Sequence, residues 1–388
     1  MKTSTDRILT THVGSLPRPK PLIDLILKRE ADPAAVDTAT WETETARAVD
    51  DVVVRQIAAG IDVISDGETS KPSYTTYVRH RVSGIESDPR AAEKGRDIML
   101  GRDLLAHPDF TSQQRNFGSM PFPGCVGALR YKGKAALDRD IALLRTAAAK
   151  TVASEVFMTA PSPGILTRFI INLHYPNEEA YVEALAEVMR HEYAAIVAAG
   201  FVLQIDAPDL GSARNNQYRH LTDEEFRTNI AERNVAALNA ATANLPADRM
   251  RLHICWGNYE GPHDHDLPLL KIIDIAFKAR PQAISIEAAN PRHDHEWEDL
   301  KEIKIPADKI LIPGVIDSTT NFVEHPRLVA QRIGRYAEVI DRERLIAGVD
   351  CGFSTAVRAE PAVADSIVWA KLKALSEGAA IATKRLWG

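Results

Sequence analysis

His253 and Cys255 stand two positions apart in RLHICWGN, Glu287 lies in AISIEAAN, and Cys351 lies in LIAGVDCG. In a strand, residues i and i+2 share a face, so His253 and Cys255 project together. Two thiolates, an imidazole and a carboxylate suit Zn2+, which takes sulfur, nitrogen and oxygen donors in a tetrahedron. A lone H-x-C is equally a buried cysteine beside a satisfied histidine, with Glu287 paired to an arginine. That alternative leaves costly polar groups without an ion to satisfy them. The donor set also constrains the chemistry. Two thiolates and a carboxylate bring three negative charges to a divalent cation, which makes it a poor Lewis acid for activating water. Such a site suits a bound thiol, whose pKa zinc lowers while leaving it nucleophilic. The chemistry expected is thiol alkylation.

These residues need a frame that brings them together. Eight short β-rich apolar runs recur along the 388 residues: 8–15, 61–68, 156–163, 201–209, 251–258, 283–290, 310–317 and 345–352. Helix-like stretches separate them, the clearest at 182–200, 223–245, 325–340 and 361–382. Strand and helix alternating eight times predict an α/β fold, a single (β/α)8 barrel, because parallel neighbours need helical crossovers. An open doubly wound sheet is the alternative, but no glycine-rich phosphate loop follows any strand. The chain reads as one domain, 1–388, with an insertion between strands 2 and 3 whose span is 85–150. That insertion would lie over the barrel mouth, its charged first half a mobile lid and VGALRYKG a strand or hairpin arm.

In such a barrel, chemistry sits where the strands end. The ends here carry His12, Asp66 with Glu68, Ser162, Asp206, His253 with Cys255, Glu287, Asp317, and Asp350 with Cys351. Bulk composition fits a globular enzyme, with 45% apolar and 26% charged residues. A net charge of −6 argues against a nucleic-acid surface. No apolar run could span a bilayer and MKTSTDRILT has no signal-peptide core, so the expected location is cytoplasmic. The three cysteines, far apart and odd in number, exclude a disulfide framework.

The segments TTHVGSLPRP, GIDVISDGE, VLQIDAPDL, LHICWGN, AISIEAAN, LIPGVID and VDCGFST follow one another in an order that resembles the catalytic C-terminal barrel of cobalamin-independent methionine synthase. The resemblance implies methyl transfer to homocysteine in methionine biosynthesis, at a Zn2+ ion held by His253, Cys255, Glu287 and Cys351. It implies Gly14 and Ser15 as contacts of the amino-acid carboxylate, and Glu68 and Asp206 as contacts of its ammonium group. Paired carboxylates on neighbouring strand ends independently make a cradle for an ammonium ion.

The donor half departs from the family. The full synthase has two barrels, its pterin-stacking tryptophan falls at Thr167, and its proton-donating histidine falls at Thr319, with His325 a few residues on. A folate polyglutamate donor is therefore not expected. A corrinoid protein, a small methylated compound or an epoxide could take its place. His263 and Asp317 are the donor-side acid and base candidates. His265, His293 and His295 read as solvated loop residues, Trp256 and Tyr259 as pocket walls, Asn258 and Asn290 as hydrogen-bonding groups, and Cys125 as an ordinary thiol. Arg18 could meet an anion or lie at the surface, and Asp350 reads as an orienter of its neighbours. Two rival functions stay open. One resembles epoxyalkane:coenzyme M transferase and predicts Arg or Lys around a sulfonate tail. The other is a metal-free decarboxylase of the uroporphyrinogen decarboxylase type. A zinc-binding or corrinoid-partner protein without catalysis is a third possibility.

Overall fold

The eight apolar runs become the staves of a closed ring. In the computed structural model, which describes residues 1–113, 122–357 and 362–388, the strands are β1 (Leu9–Thr10), β2 (Val63–Ile64), β3 (Val82–Ser87), β4 (Pro123–Tyr131), β5 (Glu155–Pro161), β6 (Ile171–Asn172), β7 (Val202–Asp206), β8 (Met250–Ile254), β9 (Ala283–Ile286), β10 (Ile310–Pro313) and β11 (Ile346–Ala347). Six pair in parallel in the order β10-β9-β8-β7-β5-β2, and β1 pairs with β11. Single bridges, Thr11 to Val63 on one side and Leu311 to Leu345 and Gly314 to Gly348 on the other, join the two sets. The result is a (β/α)8 barrel. Its strands are buried on both faces, which is why they read as nearly unbroken apolar runs. Their register places Asp206 beside His253, and His253 beside Ser285.

Helices cover the outside, and their starts follow from capping. The helix expected from 182 begins at Glu178, because the Asn177 side chain accepts from the Ala180 amide at 2.9 Å. The stretch 223–245 starts at Asp223 under a capping box of Thr222 and Glu225, then continues through a π-turn at Arg227–Ala231 to Ala241. The last helix runs Asp365–Trp387; position 361 of the expected stretch lies outside the described residues. No helix among the described residues is long and apolar enough to cross a membrane.

Between β2 and β5 the barrel carries its insertion. β3 and β4 pair antiparallel, and β6 adds in parallel to make a three-stranded sheet. Between β3 and β4 come the helices Pro89–Met99, Arg102–Ala106 and Pro108–Gln113. Residues 114–121, part of the expected lid, lie outside the described residues. The helix Lys134–Ala148 packs on the outer helices Thr38–Ala58 and Glu178–Ala198, so it joins the ring of crossovers. The inserted elements themselves therefore span Val82 to Tyr131.

One buried ion cluster fastens this arm to the barrel. Arg81, just before β3, pairs with Glu192 at 2.9 Å and with Asp140, all three less than a tenth exposed. The Tyr77 hydroxyl donates to the same Glu192 at 2.7 Å. Removing the cation would strand two buried carboxylates. Arg81→Leu is expected to destabilise the chain by about 3–5 kcal/mol, read as a lower denaturant midpoint with an unchanged slope. An unshifted midpoint would refute this anchoring.

Candidate metal centre and its cavity

His253 and Cys255 leave the end of β8 and Cys351 leaves the end of β11. Their ligand atoms lie within 4.8 Å of one another. The Cys351 Sγ–H points at Cys255 Sγ, 3.9 Å away, and both thiols are free. The three side chains are buried at 2%, 5% and 5% exposure. His253 Nδ1 faces Ser285 Oγ at 3.3 Å, while Nε2 has no hydrogen-bond partner among the described residues. Burial, helped by the nearby Arg251 charge, lowers the imidazole to about 3, so His253 is neutral with a lone pair to give. The hydrogen bond from Cys351 and burial push the Cys255 thiol well above its usual range. An orphaned imidazole nitrogen against two sulfurs that need a positive charge to ionise is a donor set that fits a soft divalent cation.

The fourth expected ligand is near but apart. Glu287, just beyond β9 and 3% exposed, does not join the trio; its Oε2 accepts from Asn290 Nδ2 at 3.3 Å. Burial first, then the neighbouring Cys255 and Asp350, push its carboxyl well above the carboxylate range. Asp350 braces the turn that follows Glu287. It accepts from the amides of Ala288, Ala289 and Asn290, each at 2.8 Å.

The trio opens on a cavity of about 220 Å³. Ser15, Glu68 and Asp206 also line it. Glu68 sits in the left-handed region at φ +55°, a conformation rare for its type. Its Oε1 accepts from Thr159 Oγ1 at 2.7 Å, and its Oε2 is buried without a partner among the described residues. Asp206 accepts from Gln204 Nε2 at 2.6 Å. Burial raises both carboxyls, and Glu68 raises Asp206 further, whereas Lys71 and Arg18 oppose the shift at Glu68. A cationic ligand would relieve both. Gly14 keeps this corner open: at φ +146° it has no room for a side chain, since a Cβ would lie 2.7 Å from Thr159 Cγ2 and 2.9 Å from Glu68 Oε1. The amides of Gly14 and Ser15 donate to no acceptor among the described residues, which leaves them free for a carboxylate.

Other expected residues lie elsewhere. Both nitrogens of His263 are engaged, Nδ1 with Asp266 at 2.6 Å and Nε2 with the Tyr259 carbonyl at 3.1 Å, and the ring does not line the cavity. Asp317 is tied into its own turn by the amides of Thr319 and Thr320, each at 3.0 Å, and by their hydroxyls. Neither is presented to the cavity as an acid or base. His325 caps a helix through the Arg327 amide, and Thr167 lines a separate pocket. His12 turns to Gln56 at 2.7 Å, and Ser162 caps the helix Pro163–Phe169. Arg18 is buried, its terminal nitrogens donating to the carbonyls of Ser354, Glu68 and Lys71, so it is not a surface residue. His293 is not solvated either. Burial opposes its charge, yet hydrogen bonds to Asp266 and Glu296 lift it to about 9. Trp256, Tyr259 and Asn258 do wall the cavity.

Several cavity residues went unread in the sequence. Arg168, Tyr74 and Asp103 all line it. Arg168 had a local signal: it is a guanidinium in PGILTRF, a helix whose seven residues are all buried. Asp103 comes from the insertion and had none.

Comparison with known proteins agrees with this architecture. Residues 141–370 match the family described as cobalamin-independent synthase, catalytic domain. The chain is similar to the methionine synthase of Saccharolobus solfataricus, 24% identical over 97% of this chain and 95% of that one. It is also similar to that of Thermococcus kodakarensis, 24% identical over 88% and 86%. A solved B12-independent methionine synthase from Shewanella sp. W3-18-1, in complex with selenomethionine, superposes with a TM-score of 0.71 at 21% identity, covering 98% of this chain and 99% of that one. A second solved structure, a putative vitamin-B12 independent methionine synthase from Listeria monocytogenes, gives 0.66 at 18% identity, with 98% and 99% covered.

The carboxylate pair sets a pH signature. A carboxyl whose folded pKa lies above its unfolded value favours the fold while protonated, and that contribution is lost as pH rises through the folded pKa. Asp206→Asn removes the ionisation. The variant should therefore gain stability over the ligand-free parent as pH rises from about 4 to 8, seen in denaturation midpoints across that range. A gap that stays constant or narrows with pH would count against it.

Proposed function

The chain belongs to the cobalamin-independent synthase family, and on that premise we propose that it transfers a methyl group to the thiol of homocysteine at a zinc ion. The observation that carries the proposal is the buried trio His253, Cys255 and Cys351, two thiols and an orphaned imidazole nitrogen gathered within 4.8 Å. These three would hold the ion, with Glu287 in reserve as a fourth donor. What zinc supplies there is a lowered pKa for an incoming thiol, without the loss of nucleophilicity that a stronger Lewis acid would impose.

The rest of the reaction falls to the chain's own groups. Glu68 and Asp206 take the ammonium of the acceptor, where two ionised carboxylates gain most from one cation. The free amides of Gly14 and Ser15 take its carboxylate. Held at both ends, the acceptor has its sulfur directed to the trio, and the reacting atoms meet at a fixed distance. Walls made by Trp256, Tyr259 and Leu104 keep water from competing for the methyl carbon. A methylated small molecule or a corrinoid protein would present that carbon from the cavity mouth. A coenzyme M-type acceptor is the second reading, favoured by one observation: the Arg168 guanidinium lines the cavity. A metal-free decarboxylase makes no use of the paired thiols.

Cys351→Ser is expected to lower bound zinc from about one ion per chain to a small fraction, measured by elemental analysis, and to abolish methyl transfer from methylcobalamin or methyltetrahydrofolate to homocysteine. Cys125→Ser, outside the cavity, serves as the control. Zinc and turnover both retained in Cys351→Ser would sink the assignment. Glu68→Gln should keep its zinc while KM for homocysteine rises by about tenfold or more. An unchanged KM would remove Glu68 from the acceptor site.

A further inference from the structure

Arg168 is a buried cation without a counter-ion among the described residues. It is 9% exposed and lines the cavity. Its Nη1 donates to Ser212 Oγ at 3.0 Å, and among the described residues its Nη2 meets only the Met99 sulfur, at 3.4 Å, a weak acceptor. Its Nε has no partner among the described residues. The carboxylates in its field are engaged elsewhere. Asp209 accepts from Ser162 at 2.6 Å and from Asn234 at 2.8 Å, and Asp103 accepts from the Tyr259 hydroxyl. A guanidinium taken out of water and given a thioether and a hydroxyl is poorly compensated, and the deficit has the shape of a planar oxyanion. Tyr74 lines the same wall, and both residues lie against Phe169, the Tyr74 ring edge-on at 5.8 Å and the Arg168 guanidinium 5.5 Å from the ring centre.

We propose that Arg168, with the Tyr74 hydroxyl beside it, forms an oxyanion subsite that receives a carboxylate or sulfonate of a substrate seated over the sulfur trio. The proposal rests on the reading of this cavity as a substrate pocket. The Arg168 side chain follows β5, which stands between the strands leading to Glu68 and Asp206. The anion therefore belongs either to an alkyl donor entering above the acceptor, or to the acceptor itself, whose carboxylate would then lie at Arg168 in place of the Gly14 and Ser15 amides.

Two pairs of probes separate these sources without requiring turnover. Methionine and its decarboxylated counterpart, methylthiopropylamine, report the acceptor side. Dimethylsulfoniopropionate and trimethylsulfonium report the donor side. Each is titrated calorimetrically into the zinc-loaded parent, Arg168→Met and Arg168→Lys. Arg168→Met should weaken the anionic member of one pair by on the order of 30-fold and leave its anion-free partner unchanged; the pair that responds names the source. Arg168→Lys should recover part of the loss, since it restores charge but not the two-pronged geometry. If Arg168→Met does not fold, Arg168→Lys carries the test through a several-fold loss confined to one anionic probe. Two results would overturn the subsite: anionic probes bound by the variants as tightly as by the parent, or a parent that prefers no anionic member over its partner. Methyl transfer is assayed in parallel. A parent that discriminates the anions but methylates no thiol supports the subsite and counts against the proposed function alone.

Discussion

The mouth of this barrel depends on one buried guanidinium. Arg251, on β8 and 1% exposed, donates to Gln204 at 2.7 Å on β7, and to Thr11 at 2.9 Å and the His12 carbonyl at 2.7 Å beyond β1. It also lies over the Phe157 ring at 3.6 Å. A barrel interior is ordinarily filled by branched apolar side chains. Here a cation spans it and ties strands from opposite sides of the ring. Gln204 passes the link upward, donating to Asp206 from the amide end of the side chain that receives Arg251 at its oxygen. The same charge disfavours protonation of His253 two residues along. One buried side chain thus helps keep a carboxylate ionisable and an imidazole neutral, the two states that the cavity above requires.

That arrangement trades stability for readiness. Glu68 is held at φ +55° with one carboxylate oxygen unpartnered, and His253 keeps a bare ring nitrogen. Such groups are destabilising until something binds them. The surroundings make the cost tolerable. Asp350 receives three backbone amides, and Gly314 leaves its Cβ position open where any side chain would strike that carboxylate. Glu68 and His253, which carry the carboxylate oxygen and the ring nitrogen, line the same cavity.

The frame was legible in the sequence because buried parallel strands write themselves as apolar runs, and all eight runs hold a strand of the ring. The strands are shorter than the runs. β1, β2 and β11 have two residues each, and the cavity residues Glu68 and Cys351 lie beyond the ends of β2 and β11. Two of the trio were legible from alternation, which puts His253 and Cys255 on one side as β8 ends, and Cys351 from its place at the end of the last apolar run. Glu287 shows the limit of that logic: the end of a strand fixes a neighbourhood, and the Asn290 contact decides where the carboxylate rests. His263 and Asp317 show it more sharply. Both have the right chemistry near the right strand ends, yet local partners four positions away or fewer, Asp266 and Tyr259 in one case and Thr319 with Thr320 in the other, claim their polar atoms. Asp103 became a cavity residue only through packing between distant segments, which periodicity cannot express.

The inserted segment contributes Met99, Gly101, Asp103 and Leu104 to the ceiling of the cavity, whereas its sulfur-bearing floor comes from the segments that follow barrel strands β8 and β11. Ceiling and floor thus belong to different stretches of chain, joined by the ion cluster around Arg81 and by side-chain contact across the void. Replacing the ceiling would reshape which electrophiles fit without disturbing a single thiol. A lineage could in this way exchange one alkylating partner for another while inheriting its sulfur chemistry intact.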